Sequence, residues 1–214
     1  MDQRAHQENR NADLRTERPE GKPVLLAATG NSHKLRELRE IFADYFTVLP
    51  MSAGGFSEEI EETGSTFAEN AAIKAEAVCA ATGLPAIADD SGLMVTALGG
   101  EPGVYSARYA GKHGDDEANN DLLLRKMADI SDREAFFVCA LCLKIPGREP
   151  VLAEGRCPGT ILRERRGTGG FGYDPLFLYE PLGKTFAEVN DTEKNAISHR
   201  ARACAEMKKK LAEL

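Results

Sequence analysis

The segment Val24-Leu-Leu-Ala-Ala-Thr-Gly-Asn-Ser-His-Lys34 decides the fold class. Its first five residues form a compact apolar run, which predicts a buried strand. The polar residues Thr29–His33 follow as a glycine-containing turn. From Lys34 to about Tyr45, large apolar side chains recur on one helical face and charged side chains on the other. A strand, a polar turn and a helix in this order predict an α/β fold.

The N-terminus of this helix is a candidate anion-binding site. Free backbone N–H groups and the positive end of the helix dipole face the turn, and Lys34 adds a charge. The pattern GxxxxGK[ST] is absent, so the turn is not a Walker A loop. On spacing alone, a helix that is simply capped by Asn31 or Ser32 explains the turn equally well.

Two adjacent carboxylates follow a second apolar run, in Leu84-Pro-Ala-Ile-Ala-Asp-Asp-Ser-Gly92. Like charges at the end of a core strand repel each other, and desolvation strengthens the repulsion. A divalent cation such as Mg²⁺ would relieve it, because such ions prefer carboxylate oxygens. The alternative is a turn in which Asp90 caps Ser91-Gly92 and Asp89 faces water.

The segment before these carboxylates carries further charged side chains. Thr66 and Glu69 have the spacing of a capping box, which predicts the start of a helix. Asn70 and Lys74 are four residues apart and share one face of that helix. The acidic run Glu58–Glu62 precedes it. Both groups are typical of a solvated surface, but the acidic run also holds spare carboxylates for a metal.

The second half of the chain predicts a hairpin, a glycine-rich loop and a final helix. Apolar runs at 135–145 and 151–157 predict the two strands of the hairpin. Gly167-Thr-Gly-Gly-Phe-Gly172 matches GxGxxG, but no strand precedes it and no helix follows, so we reject a dinucleotide site. The last helix is predicted from Thr192 to about Leu211. Helices alternating with strands, together with a hairpin, predict a mixed sheet.

Length and composition predict one soluble globular domain. The chain has 214 residues, of which 42% are apolar and 29% charged. The net charge of −7 argues against non-specific nucleic-acid binding. No apolar run approaches the ~18 residues of a membrane span. The composition of residues 1–22 predicts a disordered tail without a secretory signal. We therefore expect the domain to span 23–214 and the protein to be cytoplasmic.

Five cysteines are present, and two of them have CxxC spacing. Cys139 and Cys142 lie inside a predicted strand, where residues three apart face opposite sides of the sheet. They therefore cannot share a metal or a disulfide while the strand holds. We expect buried, reduced thiols.

Six motifs occur together in one order. They are Ala28-Thr-Gly-Asn-x-x-Lys34, Glu61-Glu-Thr-Gly-x-Thr-Phe-x-Glu-Asn70, Ala88-Asp-Asp-Ser-Gly92, Pro102-Gly-Val-Tyr-Ser-Ala-Arg108, Gly169-Gly-Phe-Gly-Tyr-Asp-Pro175 and Ala196-Ile-Ser-His-Arg200. With them the chain resembles the inosine triphosphate pyrophosphatase family, the house-cleaning dITP/XTP pyrophosphatases, from about residue 24 to the C-terminus. The resemblance implies an elongated mixed β-sheet flanked by helices, with two lobes and an active-site cleft between them. It also implies that a Mg²⁺-dependent homodimer hydrolyses dITP, ITP and XTP to the monophosphate and pyrophosphate.

The same resemblance implies roles for individual residues. Asp90 would be the general base that activates water, and Glu62, Asp89 and Asp90 would hold the metal. The triphosphate would bind at Thr29–Lys34, and Phe171 would stack on the purine. The full set of implied substrate-binding residues is Thr29, Gly30, Asn31, Ser32, His33, Lys34, Lys74, Ser91, Phe171, Gly172, Tyr173, Asp174, Lys194, His199 and Arg200.

Two other functions fit parts of the pattern. A Maf-type pyrophosphatase would act on pyrimidine or modified nucleotides, but the segments Ser198–Arg200 and Phe171–Asp174 argue against it. A nucleotide sensor without turnover would have little need of Glu62 and the Asp89-Asp90 pair. One departure from the family pattern is Ser32-His33, where many relatives have small residues that include a second glycine. We expect the backbone path to survive this change.

Overall fold

The computed structural model describes residues 21–213. The predicted tail over 1–22 lies outside the described residues except for Gly21 and Lys22. The Lys22 ammonium donates a hydrogen bond to the carbonyl oxygen of Ala43, at 2.7 Å. None of the helices in the described range is both long and apolar enough to cross a membrane.

The described residues form one seven-stranded sheet. Its strands are β1 Val24–Ala27, β2 Thr47–Pro50, β3 Ala86–Val95, β4 Glu134–Lys144, β5 Val151–Ile161, β6 Phe177–Tyr179 and β7 Lys184–Thr185. The strand order is β2-β1-β3-β4-β5-β6-β7. β1 pairs in parallel with β2 and β3, whereas β6 pairs antiparallel with β5 and β7. The predicted mixed sheet is therefore confirmed.

Five α-helices accompany the sheet within residues 21–213. They are α1 Ser32–Phe42, α2 Phe67–Thr82, α3 Asp116–Lys126, α4 Asp191–Ile197 and α5 His199–Leu211. Short 3₁₀ helices cover Met51–Gly54, Thr96–Leu98, Gly103–Arg108 and Glu180–Leu182. The predicted α/β class is thus correct.

Contacts divide the described chain into two compact units. The first contains 21–90, Ala140–Ala153 and 206–213, and the second contains Ser91–Cys139 and Glu154–Ala205. In the first unit, Leu25, Leu26 and Ala27 of β1 are fully buried. In the second, the rings of Phe137 and Phe177 pack 4.6 Å apart in an apolar core.

The predicted last helix is wrong in one respect, because the chain breaks it at Ser198. Ser198 has extended backbone angles and separates α4 from α5. Its N–H donates to the carbonyl oxygen of Lys194, which ends α4, and its Oγ accepts from the N–H of Ala201 in the first turn of α5. One serine therefore caps both helices, and the chain changes direction just before His199 and Arg200.

The cysteine prediction is confirmed. All five cysteines lie among the described residues, are buried and form no disulfide bond. Cys139 and Cys142 lie within β4.

Candidate active site

Strand β3 continues through the two carboxylates instead of ending before them. It runs from Ala86 to Val95, and Asp89 and Asp90 are 1% and 7% exposed. The alternative of an Asp90-capped turn at Ser91-Gly92 is therefore wrong. Neighbouring side chains on a strand point to opposite faces, so the two carboxylates find different partners.

Asp89 forms an ion pair with the lysine of the first turn of α1. The Lys34 Nζ lies 2.6 Å from Asp89 Oδ1, and both side chains are largely buried. α1 begins at Ser32 because Asn31 caps it: the Asn31 Oδ1 accepts hydrogen bonds from the N–H groups of His33 (2.9 Å) and Lys34 (3.2 Å). The sequence left Asn31 and Ser32 open as caps, and the structure selects Asn31.

The turn before α1 is open to solvent. Gly30, Asn31 and Ser32 are exposed, and a side chain at Gly30 would meet no atom. The Thr29 Oγ1 accepts a hydrogen bond from the N–H of Asn31, at 3.1 Å, which tightens the turn. An anion therefore has access to the start of this helix, with Lys34 beside it.

Asp90 lies between two side chains of α2. The Asn70 Nδ2 donates to Asp90 Oδ2 at 3.1 Å, and the Lys74 Nζ lies 3.5 Å from Asp90 Oδ1. Lys74 also contacts the Glu62 carboxylate at 2.6 Å and the backbone oxygen of Asp89 at 3.0 Å. Lys74 therefore joins Glu62 to both aspartates. We name Glu62, Asn70, Lys74, Asp89 and Asp90 the carboxylate–lysine cluster.

The first turn of α2 explains how this cluster is held. Thr66 and Glu69 form the predicted capping box. The Asn70 Oδ1 accepts a hydrogen bond from the N–H of Gly64, at 2.8 Å. A Cβ at Gly64 would lie 2.6 Å from that same oxygen, so only glycine fits. Asn70 thus connects Asp90 to the loop that carries Glu62.

Burial and charge oppose each other in this cluster. Burial raises the pKa of Asp90 above its ordinary value, although Lys74 and Lys34 act in the other direction. Burial by itself lowers the pKa of Lys74, but the neighbouring charges of Asp90 and Glu62 outweigh it and raise the pKa overall. Lys74 therefore stays protonated and compensates the buried negative charge.

The oxygen ligands of this cluster suit Mg²⁺, but in the structure the carboxylates contact the ammonium groups of lysines. Glu62, Asp89 and Asp90 supply the hard oxygen ligands that Mg²⁺ takes. One oxygen of each carboxylate contacts a lysine: Asp89 contacts Lys34, and Glu62 and Asp90 contact Lys74. Over residues 21–213, no three acidic, histidine or cysteine side chains converge as a ready metal site. A metal bound here would share these carboxylates with Lys34 and Lys74 or displace them.

A second cluster forms in the other unit, around Lys194. The Lys194 Nζ lies 2.5 Å from the Asp174 Oδ2, and both side chains are buried. The same Asp174 oxygen accepts a hydrogen bond from the N–H of Phe171, at 2.9 Å. The Lys194 ammonium also lies over the Phe171 ring, 4.4 Å from its centroid. Three residues predicted to bind substrate are therefore in mutual contact.

Gly170 makes the second cluster possible. Its φ of +71° favours glycine, and a Cβ there would collide with the Asp174 carboxylate. Gly167 is restricted in the same way, with φ +81° and the backbone of Ala187 against it. Of the glycines matched to GxGxxG, Gly167 and Gly169 thus lie against Ala187, and the additional Gly170 lies against Asp174.

The helix break brings His199 and Arg200 into the second unit's interior. Arg200 is fully buried, and its guanidinium donates to the Ser91 Oγ at 3.0 Å. The His199 ring stacks on Phe137, with centroids 4.8 Å apart. Ser91, Arg200 and His199 were all predicted to bind substrate.

Tyr173 lies deeper than its predicted role suggests. It is 3% exposed within the apolar core, and its hydroxyl donates to the carbonyl oxygen of Ser106 at 2.9 Å. Burial raises its pKa well above the ordinary value. Phe171 and Gly172 are partly exposed. Direct contact of Tyr173 with substrate stays a prediction.

The sequence missed Asn70 as a functional residue. Asn70 is 1% exposed, although its spacing of four residues from Lys74 is also typical of a solvated helix face. The available signal was its position one helical turn before Lys74, inside a motif that ends in a glutamate and an asparagine.

The fold and the carboxylate–lysine cluster define an α/β protein equipped for phosphate hydrolysis. Comparison with known proteins agrees with this class. The model of the Ham1 family matches residues 25–210, and the chain belongs to that family. The predicted resemblance is therefore confirmed.

Named relatives are similar over most of their length. The dITP/XTP pyrophosphatase of Streptomyces coelicolor is 51% identical over 186 residues, which cover 84% of this chain and 92% of that protein. The dITP/XTP pyrophosphatase of Bacillus subtilis is 49% identical over 189 residues, covering 87% of this chain and 96% of that protein. The solved structure of a HAM1 protein from Coxiella burnetii superimposes with a TM-score of 0.82 at 43% identity, covering 89% of this chain and 99% of that chain.

Proposed function

We propose that this chain is a nucleoside triphosphate pyrophosphatase that removes non-canonical purine nucleotides. It hydrolyses dITP, ITP and XTP to the monophosphate and pyrophosphate. The observation that carries the proposal is the buried Asp90, held by Asn70 and Lys74. The two relatives named dITP/XTP pyrophosphatase, at 51% and 49% identity, support the substrate class.

Asp90 acts as the general base. Its carboxylate takes a proton from a water molecule while the water oxygen attacks the α phosphorus. The bond to the bridging oxygen breaks, and pyrophosphate leaves. Asn70 donates to one Asp90 oxygen and Lys74 to the other, so the carboxylate cannot rotate freely and its orientation is set before substrate arrives.

Positive charge stabilises the phosphates. Lys34 at the start of α1 and Lys74 in the cluster supply it, and the exposed turn Thr29–Ser32 gives the triphosphate access to the helix N-terminus. We propose that Mg²⁺ is held by Glu62, Asp89 and Asp90. When bound, it would neutralise phosphate oxygens.

We further propose that the second cluster, together with His199 and Arg200, contacts the purine. Phe171 offers a partly exposed ring, and Lys194, His199 and Arg200 are hydrogen-bond donors. Inosine and xanthosine carry a C6 oxo group where adenine carries an amino group. Donors favour the oxo group and leave the adenine amino group opposed, which costs about 1–3 kcal/mol.

Pyrophosphate release from a nucleotide panel tests this function. The panel contains ITP, XTP, dITP, ATP, GTP and dTTP, each with Mg²⁺ and with EDTA. We expect metal-dependent release from ITP, XTP and dITP only. Release from dTTP alone would favour a Maf-type enzyme, and tight ITP binding without release would favour a nucleotide sensor.

Assembly and location belong to the same proposal. A homodimer is implied by the family resemblance, and a cytoplasmic location by the composition. Light scattering on the purified full chain tests the first: a mass of twice 23.2 kDa supports it and a mass of 23.2 kDa contradicts it.

A further inference from the structure

Two side chains of helix α3 form hydrogen bonds to the backbone of Gly172 in the glycine-rich loop. The Asp116 Oδ2 accepts a hydrogen bond from the Gly172 N–H at 2.7 Å. The Asn120 Nδ2 donates to the Gly172 carbonyl oxygen at 2.8 Å. Asp116 and Asn120 are four residues apart and therefore share one helix face. Both backbone groups of a single loop residue are thus bound by one helix.

The orientation of the Asn120 amide is fixed. Asn120 is 1% exposed, and its Nδ2 also donates to the Asp116 carbonyl oxygen at 2.8 Å. A flipped amide would place Oδ1 against two carbonyl oxygens. In the present orientation Oδ1 has no hydrogen-bond partner within residues 21–213. A buried acceptor without a partner is costly, so the two Nδ2 bonds must compensate for it.

The loop depends on such outside contacts. Gly167, Gly169, Gly170 and Gly172 give its backbone wide conformational freedom. Arg165, before the loop, pairs with Asp121 of α3 at 2.8 Å, but this pair is exposed and contributes little. The hydrogen bonds of Asp116 and Asn120 to Gly172 therefore attach the glycine-rich segment itself to α3.

We propose that Asp116 and Asn120 are positioning residues for purine recognition. By fixing Gly172 they set where the neighbouring Phe171 ring stands, beside the Lys194 ammonium. The inference rests on the proposed contact between Phe171 and the purine. Neither Asp116 nor Asn120 touches the nucleotide in this account. Their effect is on the discrimination between bases, because Phe171 lies against the Lys194 ammonium, a proposed donor to the C6 oxo group, and a loop that is free to move no longer holds that contact.

The adjacent asparagine is a matched control. Asn119 is also on α3 and 2% exposed, and both ends of its amide are hydrogen-bonded. Its Oδ1 accepts from the N–H of Ala110 at 2.8 Å, and its Nδ2 donates to the Ala107 carbonyl oxygen at 3.3 Å. It therefore anchors a different segment. A general loss of helix stability would affect both asparagine variants alike.

The experiment compares Asn120→Asp with Asn119→Asp. In Asn120→Asp a carboxylate of the same shape faces the carbonyl oxygens of Gly172 and Asp116. For each variant, kcat/KM is measured with ITP and with ATP, and folding is checked by thermal melting. We expect the ITP-to-ATP ratio to fall about tenfold in Asn120→Asp and to stay unchanged in Asn119→Asp. An unchanged ratio in folded Asn120→Asp overturns the inference, as does an equal fall in both.

Two further comparisons complete the test. If Asn120→Asp does not fold, Asp116→Ala replaces it: the ratio should fall in Asp116→Ala and be rescued in Asp116→Asn, whose Oδ1 can still accept from the Gly172 N–H. No difference between these two variants overturns the inference. Phe171→Ala separates the proposed purine contact of Phe171 from the proposed positioning role of Asp116 and Asn120. A wild-type ratio together with a wild-type KM for ITP there refutes the purine contact itself and the positioning role with it, whereas a change in either value there beside an unchanged ratio in Asn120→Asp refutes only the positioning role.

Discussion

Asp90 is held by two side chains of one helix, and each contact has a different consequence. Lys74 compensates the charge of the buried carboxylate, whereas Asn70 compensates no charge. The Asn70 amide instead fixes one carboxylate oxygen and the Gly64 backbone together. A neutral residue can therefore matter for turnover without touching substrate.

Asn70→Ala should lower kcat about tenfold and destabilise the fold by about 1–3 kcal/mol, because it leaves a buried Asp90 oxygen and the Gly64 N–H without this partner. Steady-state kinetics with ITP and urea unfolding measure the two effects. Asn119→Ala is the control: it removes an equally buried asparagine and should lower stability without the loss of kcat. A wild-type kcat in Asn70→Ala would contradict the positioning of Asp90.

A second prediction concerns Gly170, whose substitution should affect both stability and the KM for ITP. Gly170→Ala places a Cβ against the Asp174 carboxylate at a φ of +71°. We expect a loss of about 1–3 kcal/mol in unfolding free energy and a raised KM for ITP, because the contact between Asp174 and Lys194 must shift.

Gly147→Ala separates strain from collision. Gly147 has φ +74°, but a side chain there would meet no atom. Gly147→Ala therefore carries the same cost of a side chain at positive φ as Gly170→Ala, but it should leave the KM for ITP unchanged. Equal KM values for the two variants would contradict the role assigned to the Gly170 contact.

At the scale of elements, sequence patterns predicted the individual helices and strands better than their ends. β1, α1 and α2 follow from apolar spacing and from the caps Asn31 and Thr66, all of which are local signals. The break at Ser198 was missed because a helical pattern continues on both sides of it. The serine acts through one bond to Lys194 and one to Ala201, and the sequence does not show that both form at once.

Strand β3 was placed correctly but cut short. The two aspartates ended its apolar pattern, and isolated charges argue against a core strand. Their partners Lys34 and Lys74 lie 55 and 16 residues away from Asp89 and Asp90 in the chain. Only the fold brings these charges together, so the local sequence pattern underestimated the length of β3.

The long strands also predict inert thiols. Burial raises the pKa of Cys142 on β4 to about 12 and that of Cys157 on β5 to about 11. The reactive thiolate is therefore scarce at neutral pH and becomes populated only as the pH approaches these values. We expect almost no labelling by a thiol reagent at about pH 8 in the folded protein, and labelling of all five cysteines in guanidinium. Rapid labelling of either thiol in the folded protein would contradict the burial of these strands.

At the scale of the whole molecule, the order of six motifs was more informative than any one of them. The family resemblance was confirmed, and it led to Asp90, Lys74 and Lys194 before their contacts were known. It did not lead to Asn70, Asp116 or Asn120. These residues bond to groups that are distant in sequence, such as Asp90 and the Gly172 backbone, and even the helical spacing of Asn70 and Lys74 does not reveal those partners.

The central claim is that Asp90 takes the proton of the attacking water. Asp90→Asn tests it most directly, because the amide keeps the shape of the side chain and removes the base. We measure ITP turnover and, by calorimetry, the Kd for ITP in the wild type and in the variant. We predict a kcat lower by at least about 10²-fold with a Kd within a few fold of the wild type. Full turnover by Asp90→Asn would contradict it.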